Sequence, residues 1–164
     1  MIILGIDPGY ERIGIAIIEK KPGGKETWVY SECFKTLAKE LHSQRLFLLG
    51  QRVEGIIKKY QPEVMSIETL FFESNVKTAM KVAEARGVLI YEGKKAGLRV
   101  REFTPLQIKT AVTGYGKSDK SQMMFMVEKL VKLGDKKAQD DEYDAIAAAL
   151  TAFAVREESY PQVK

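Results

Sequence analysis

The sequence predicts a mixed α/β fold: a five-stranded sheet flanked by helices. Two observations carry that expectation. In the first third of the chain apolar residues recur with period two, as at Ile13, Ile15 and Ile17, which is the pattern of strands. From Leu46 onward the apolar spacing becomes helical, and short strand-like runs then alternate with helices, the order that builds parallel strand pairs.

The elements follow in turn. Ile2 to Ile6 is an apolar strand that runs into Asp7, and Pro8-Gly9 turns the chain at once. Residues 13–18 alternate as a second strand, Lys21-Pro22-Gly23-Gly24-Lys25 supplies a turn, and 28–34 reads as the returning third strand of an antiparallel meander. Leu46, Leu49, Val53, Ile56 and Ile57 make a helical stripe that ends before Gln61-Pro62. Residues 63–68 form a short fourth strand, followed by a helix over 75–94 with Gly97 as its stop. The fifth strand is 98–103. Thr104-Pro105-Leu106-Gln107 then combines an N-cap, a proline at the first helical position and a capping-box glutamine, opening a helix that ends near Gly114. Two more helices are expected over 118–133 and 139–157. With no repeats, linkers or low-complexity tracts, residues 1–158 are expected to form one domain, and 159–164 a loose tail.

Composition narrows the function classes. The 164 residues are 45% hydrophobic and 29% charged, which suits a globular chain able to bury about 68–70% of its unfolded surface. The apolar runs fall short of the roughly 18 residues of a membrane span and no secretory leader is visible, so a cytoplasmic protein is expected. A single cysteine, Cys33, and a single histidine, His42, exclude an internal disulfide and a zinc pattern. Cys33 is expected to be a small buried hydrophobe, and His42 to sit in a solvated helix turn. Any metal must then be held by oxygens, which favours hard cations such as magnesium or manganese. The net charge of +4 suits a polyanionic partner but is shared by ordinary basic proteins.

Candidate chemistry lies in the acids. If the fourth strand lies parallel beside the first, on the side away from the second, the first strand marks a topological switch point, where open sheets place their sites. Asp7 and Glu68 would then share one mouth, since adjacent strands lie about 4.8 Å apart. Taken singly, Asp7 reads better as a turn former and Glu68 as an exposed strand-end charge. Asp141 and Asp144 are three apart at the start of a helix and share a face, although acids there are also favoured by the helix dipole, by about 0.3–1 kcal/mol each. The rest of that helix, Ala145-Ile146-Ala147-Ala148-Ala149-Leu150, is small enough to approach the sheet closely and carry its acidic start to the strand tips.

At this point the residues match a family. In order along the chain, GIDPG, IETLFFESN, ARG, QIKTAVTG, GKSDKSQ and DEYDAIAAAL resemble the RuvC-type Holliday-junction resolvases, and only the tail lies outside the match. GIDPG alone is a weak signal; the ordered set is specific. The resemblance implies a ribonuclease-H-like sheet of order 3-2-1-4-5 and a metal site of four acids, which by motif are Asp7, Glu68, Asp141 and Asp144. Some relatives carry histidine for the third acid, where this chain keeps aspartate. Asp140 is an extra neighbour without an assigned role.

The activity so implied is hydrolysis of DNA phosphodiesters, resolving four-way junctions by paired symmetrical nicks with 5′-phosphate ends during homologous recombination and repair. Two Mg2+ ions per site, with Mn2+ as a substitute, would serve an in-line displacement; no residue nucleophile is required, and no useful Ser-His or Cys-His arrangement exists. Lys109 and Lys120 occupy motif positions near the scissile phosphate, and Lys120 is expected to stabilise transition-state charge. Lys77, Lys81, Arg86 and Lys117 are further candidate DNA contacts, with Asn75. An aromatic from Phe71-Phe72 is expected to stack on an unpaired base at the crossover, Phe71 being preferred. With the four site acids set aside, 18 acids face 26 Lys and Arg, so the remainder carries +8, suited to the arms of a junction. The resemblance also implies a homodimer, with the helix over 75–94 as its interface, and cooperation with a branch-migration complex of RuvA–RuvB type.

Three rivals stand beside this reading. The small RuvC-like ribosomal-RNA processing nucleases share an opening similar to DPGYERIGIA, but ARG and GKSDKSQ fit the resolvases better. Sugar-kinase or actin-like ATPases need a second domain and phosphate loop. A non-catalytic junction-binding module would not need four acids.

Overall fold

The computed structural model describes residues 1–70, 76–134, 136 and 138–155, without the side chains of residues 76 and 77. Five strands, β1 (Ile2–Asp7), β2 (Arg12–Lys20), β3 (Glu26–Lys35), β4 (Val64–Glu68) and β5 (Arg99–Phe103), form one sheet of order β3-β2-β1-β4-β5. β1–β2 and β2–β3 are antiparallel, whereas β1–β4 and β4–β5 are parallel. β1 is thus the expected switch strand.

Helices cover both faces. α1 (His42–Tyr60) and α2 (Val76–Lys95) lie on one side, α3 (Pro105–Thr113), α4 (Lys120–Leu130) and α5 (Asp140–Ala154) on the other. Alternation along the strands sorts the core. Leu4, Ile6, Ile13, Ile15 and Ile17 pack toward α1 and α2, while Ile3, Ala16 and Ile18 pack toward α5. Both faces of β1 and β2 are therefore apolar, as expected for a covered sheet.

Helix ends depart modestly from expectation, for local reasons. α4 begins at Lys120 rather than 118 because Asp119 accepts the Gln122 N–H and Gln122 returns a bond to the Asp119 N–H. It stops at Leu130 because Val131 turns extended, and Val131 and Leu133 enter the core. α5 begins after Gln139, which forms a capping box with Glu142. The Thr104–Gln107 capping box and the left-handed Gly114 bound α3 as expected.

α5 lies unusually close to the sheet. A Cβ at Gly5 would overlap the Ala145 carbonyl, and one at Gly14 the Asp141 carbonyl. Two glycines on neighbouring strands thus make room for one helix backbone, and the alanines of α5 do the rest: Ala145, Ala147, Ala148 and Ala149 are fully buried.

Candidate active site

Asp7 is the last residue of β1 and Glu68 the last of β4, and the parallel pairing of Ile6 with Ile67 sets these two ends side by side. Gly5 and Ile3, the residues two and four before Asp7, face α5. Val64 and Ser66 do the same before Glu68. The period of two therefore points both carboxylates toward the first turn of α5, which carries Asp140, Asp141 and, one turn on, Asp144.

Electrostatics report the convergence. The Asp7 carboxyl is pushed up to about 8, first by burial and then by the charges of Asp144, Glu68 and Asp141, with Lys120 acting the other way. Glu68 rises to about 7 through burial and Asp144, opposed by Lys109. Asp144 is also raised, by burial above all, while Lys120 pulls it down and Asp141 and Asp140 push it up. Acids from the first, middle and last thirds of the chain thus sense one another, and at Asp7, Glu68 and Asp144 the nearby positive charge does not offset burial and repulsion.

Two recesses meet at Glu68 and Pro105. One, of about 250 Å³, is lined by Glu68, Lys109, Lys120 and Asp144 against Pro105, Ile108 and Met123. The other, of about 280 Å³, is lined by Asp7, Pro8, Glu68, Thr69, Leu70 and Pro105. Thr69 Oγ1 is buried and has no hydrogen-bond partner among the described residues.

The turn after Asp7 is braced from α1. Buried Arg45 donates from Nη2 to the Tyr10 carbonyl at 3.2 Å and from Nε to Thr36 Oγ1 at 2.8 Å, and its guanidinium lies 3.7 Å from the Tyr10 ring centre. Glu68 is braced from α2, where Arg86 Nε donates to its carbonyl at 3.0 Å and Nη2 pairs with Glu102. Arg86, a candidate DNA contact, thus has its head engaged at the strand end.

The remaining candidates fall as follows. Lys120 Nζ lies 3.1 Å from Asp140 and 3.7 Å from Asp144. Burial lowers its pKa, but the bond to Asp140 and the charges of Asp144, Asp140 and Asp141 outweigh that and leave it raised. Asp140 therefore has a partner. Lys109 lines the cleft, Lys117 is exposed on the α3–α4 loop, and Lys81 Nζ lies 5.2 Å from the Tyr10 ring. Phe71, Phe72, Asn75 and the Lys77 side chain lie outside the described residues.

Two sequence expectations need correction. Cys33 is half-exposed on β3, not buried, and its Sγ donates to Asp141 Oδ2 at 3.4 Å. His42 opens α1 with both ring nitrogens engaged, Nδ1 with Tyr10 Oη at 3.0 Å and Nε2 with Glu84 at 2.6 Å. Arg12, which sequence reasoning passed over, pairs with Asp141. No local pattern marks it; the contact spans 129 residues.

The donor set fits a hard divalent cation. It consists of carboxylates only, two of them raised well above their ordinary range by burial and mutual repulsion, and positive charge among them would relieve both. Among the described residues no three Asp, Glu, His or Cys side chains stand in a ready-made metal cage. Asp7, Glu68 and Asp144 line the two recesses, with Asp144 turned to Lys120, while Asp141 pairs with Arg12.

Known proteins share this architecture. The family Crossover junction endodeoxyribonuclease RuvC matches residues 3–152. The chain is 43% identical over 150 residues to the crossover junction endodeoxyribonuclease RuvC of Halothermothrix orenii, covering 92% of this chain and 90% of that relative. With that of Desulforamulus reducens it shares 44% over 150 residues, covering 92% and 91%. A solved structure of Thermus thermophilus RuvC in complex with Holliday junction substrate matches with a TM-score of 0.87 at 29% identity, covering 94% and 93%. The yeast mitochondrial Holliday junction resolvase Ydc2 shares the fold, with a TM-score of 0.67 at 15% identity, covering 91% and 76%.

Proposed function

The chain belongs to the RuvC family of crossover junction endodeoxyribonucleases, and from that membership we infer that it resolves four-way DNA junctions by paired nicks during homologous recombination and repair. It is a metal-dependent endonuclease. Family membership also sets aside the ribosomal-RNA nuclease, ATPase and binding-module readings.

We propose further that Asp7, Glu68, Asp141 and Asp144 would hold two Mg2+ ions, for which Mn2+ can substitute, and that residues 1–158 act as one nuclease domain in the cytoplasm. When bound, the cations supply an activated water and charge stabilisation for an in-line displacement at phosphorus. The chain's own part is positional. Strand tips fix Asp7 and Glu68, α5 brings Asp141 and Asp144 across them, and Pro8-Gly9 turns the backbone away so a phosphate can approach. Lys120 at the cleft wall stabilises the charge that grows on the phosphoryl oxygens, and Lys109 opposite orients the strand. The observation that carries the reading is that Asp7 and Glu68 end adjacent parallel strands beneath the acidic start of α5, where burial and acids distant in sequence raise both carboxyls.

DNA contacts come from Lys81, Lys117 and Lys77, with Arg86 and Asn75, and Phe71, or Phe72 after it, stacks at the crossover. A homodimer places two such sites on opposed strands. Support comes from exposed apolar side chains on α2 and its neighbour α1: Met80, Tyr91 and Phe47 are 73%, 63% and 56% exposed, and Phe47 and Tyr91 line one recess between the two helices. A branch-migration complex of RuvA–RuvB type delivers the junction. No helix among the described residues is long and apolar enough to cross a membrane.

The test is a synthetic mobile four-way junction with both nicks mapped, with and without magnesium. Symmetrical, ligatable nicks only with the metal are expected; metal-independent or single-sided cutting would refute the reading.

A further inference from the structure

Glu142 lies between Asp141 and Asp144 in sequence yet turns away from the cleft. It is 3% exposed, and both of its oxygens are engaged. Oε1 accepts the Gln139 N–H at 3.0 Å. Oε2 accepts the Ser31 hydroxyl at 2.6 Å and pairs with Lys136 Nζ. Lys136 donates in turn to the Ser31 carbonyl and, at 3.0 Å, to Ser31 Oγ, and Trp28 Nε1 donates to the same hydroxyl at 3.1 Å. A capping box needs only an exposed glutamate. Burying the Glu142 carboxylate beside a partly exposed Lys136 is costly and calls for another reason.

That reason lies in how α5 meets the sheet. Its inner face is largely alanine, and glycines beneath it let the backbone sit on β1 and β2. Such contacts fix how close the helix lies, but small side chains resist rotation about the axis only weakly. Directional bonds supply the rest. Ser66 Oγ donates to the Ala148 carbonyl at 2.5 Å, and Arg101 donates to the carbonyls of Ala152 at 2.7 Å and Val155 at 2.8 Å. These hold the middle and far end. Ser31, Lys136 and Glu142 hold the near end.

We propose that Glu142, held by Lys136 and Ser31, is a positioning residue for the nuclease reaction: it sets the rotation of the first turn of α5 so that Asp141 and Asp144 face Asp7 and Glu68. A rotation of roughly 10° moves a carboxylate about 6 Å from the axis by about 1 Å, more than the roughly 0.5 Å a catalytic site tolerates. The inference rests on the reading of Asp141 and Asp144 as metal ligands.

The test uses full-length Glu142→Gln and the apolar pair Glu142→Leu/Lys136→Met. Manganese affinity is measured calorimetrically without DNA, alongside the melting temperature and kcat and KM on a synthetic junction. Glu142→Gln is expected to weaken manganese binding and lower kcat by about tenfold each, with KM changed by less than about twofold. The apolar pair is expected to recover the melting temperature but not manganese affinity. Parent-like values for Glu142→Gln, or manganese affinity restored together with stability, would overturn the proposal; if the apolar pair does not fold, Glu142→Gln alone decides. Asp144→Asn is run in parallel. Should it bind manganese and cleave as the parent does, the ligand reading itself fails; should it be inactive beside a parent-like Glu142→Gln, only the positioning role fails.

Discussion

Gly14 on β2 lies directly beneath the backbone carbonyl of Asp141, so closely that any Cβ at position 14 would overlap that oxygen. The only side chain compatible with this contact is hydrogen. The height of the acidic end of α5 over the sheet is thereby fixed by a residue that carries no chemistry.

Gly14→Ala is expected to cost about 1–3 kcal/mol by overpacking and to abolish most cleavage, because the overlap is with backbone that cannot step aside. Gly55→Ala in α1, where a Cβ meets nothing, is the control, and should be neutral or stabilising by up to about 1 kcal/mol. Chemical denaturation of both variants checks this; parent-like stability of Gly14→Ala would contradict the close contact.

Asp7 links pH to stability. Its folded pKa of about 8 exceeds the ordinary 3.8, so the folded state binds the extra proton. The stability this confers is complete below about pH 4 and is lost as pH rises toward 8, no faster than about 1.4 kcal/mol per pH unit. The metal-free parent should therefore melt at lower temperature as pH rises through this range. Asp7→Asn should flatten the decline, leaving the share due to Glu68, and melt above the parent at pH 7.5. It should still bind junctions while failing to cut them. A melting temperature below the parent's at pH 7.5 would show that the charge is not penalised.

Lys120 lines the cleft and reaches Asp140 and Asp144. Lys120→Ala is expected to slow single-turnover cleavage by about 100-fold while junction affinity in calcium falls only a few-fold. Equal losses in rate and affinity would reduce Lys120 to a phosphate contact.

Much of this molecule is legible in the sequence because its signals are local. The alternation of Ile13, Ile15 and Ile17, the Thr104–Gln107 capping box and the stops at Gly97 and Gly114 all reappear in place, and the order β3-β2-β1-β4-β5 is the one the family resemblance implies, since the meander and a crossover alone leave open which edge β4 joins. Asp7 and Glu68 were readable as strand ends, and the four acids as a set only through the family resemblance. What stayed hidden is set by register between distant segments. Arg12 and Cys33 reach Asp141 because β2 and β3 pair with Gly14 beside Cys33. Glu142 carries no local signal of its burial, because Ser31, which donates to it, lies 111 residues away. His42 and Glu84 meet only because α1 packs on α2.

Single-turnover cleavage of a synthetic four-way junction in magnesium, with Asp7→Asn, Glu68→Gln, Asp141→Asn and Asp144→Asn measured beside the parent, decides whether acids from three distant segments work as one metal centre. All four variants should lose cleavage by about 1,000-fold or more while still binding the junction. Any one of them cutting at the parent's rate would remove that residue from the centre and break the account.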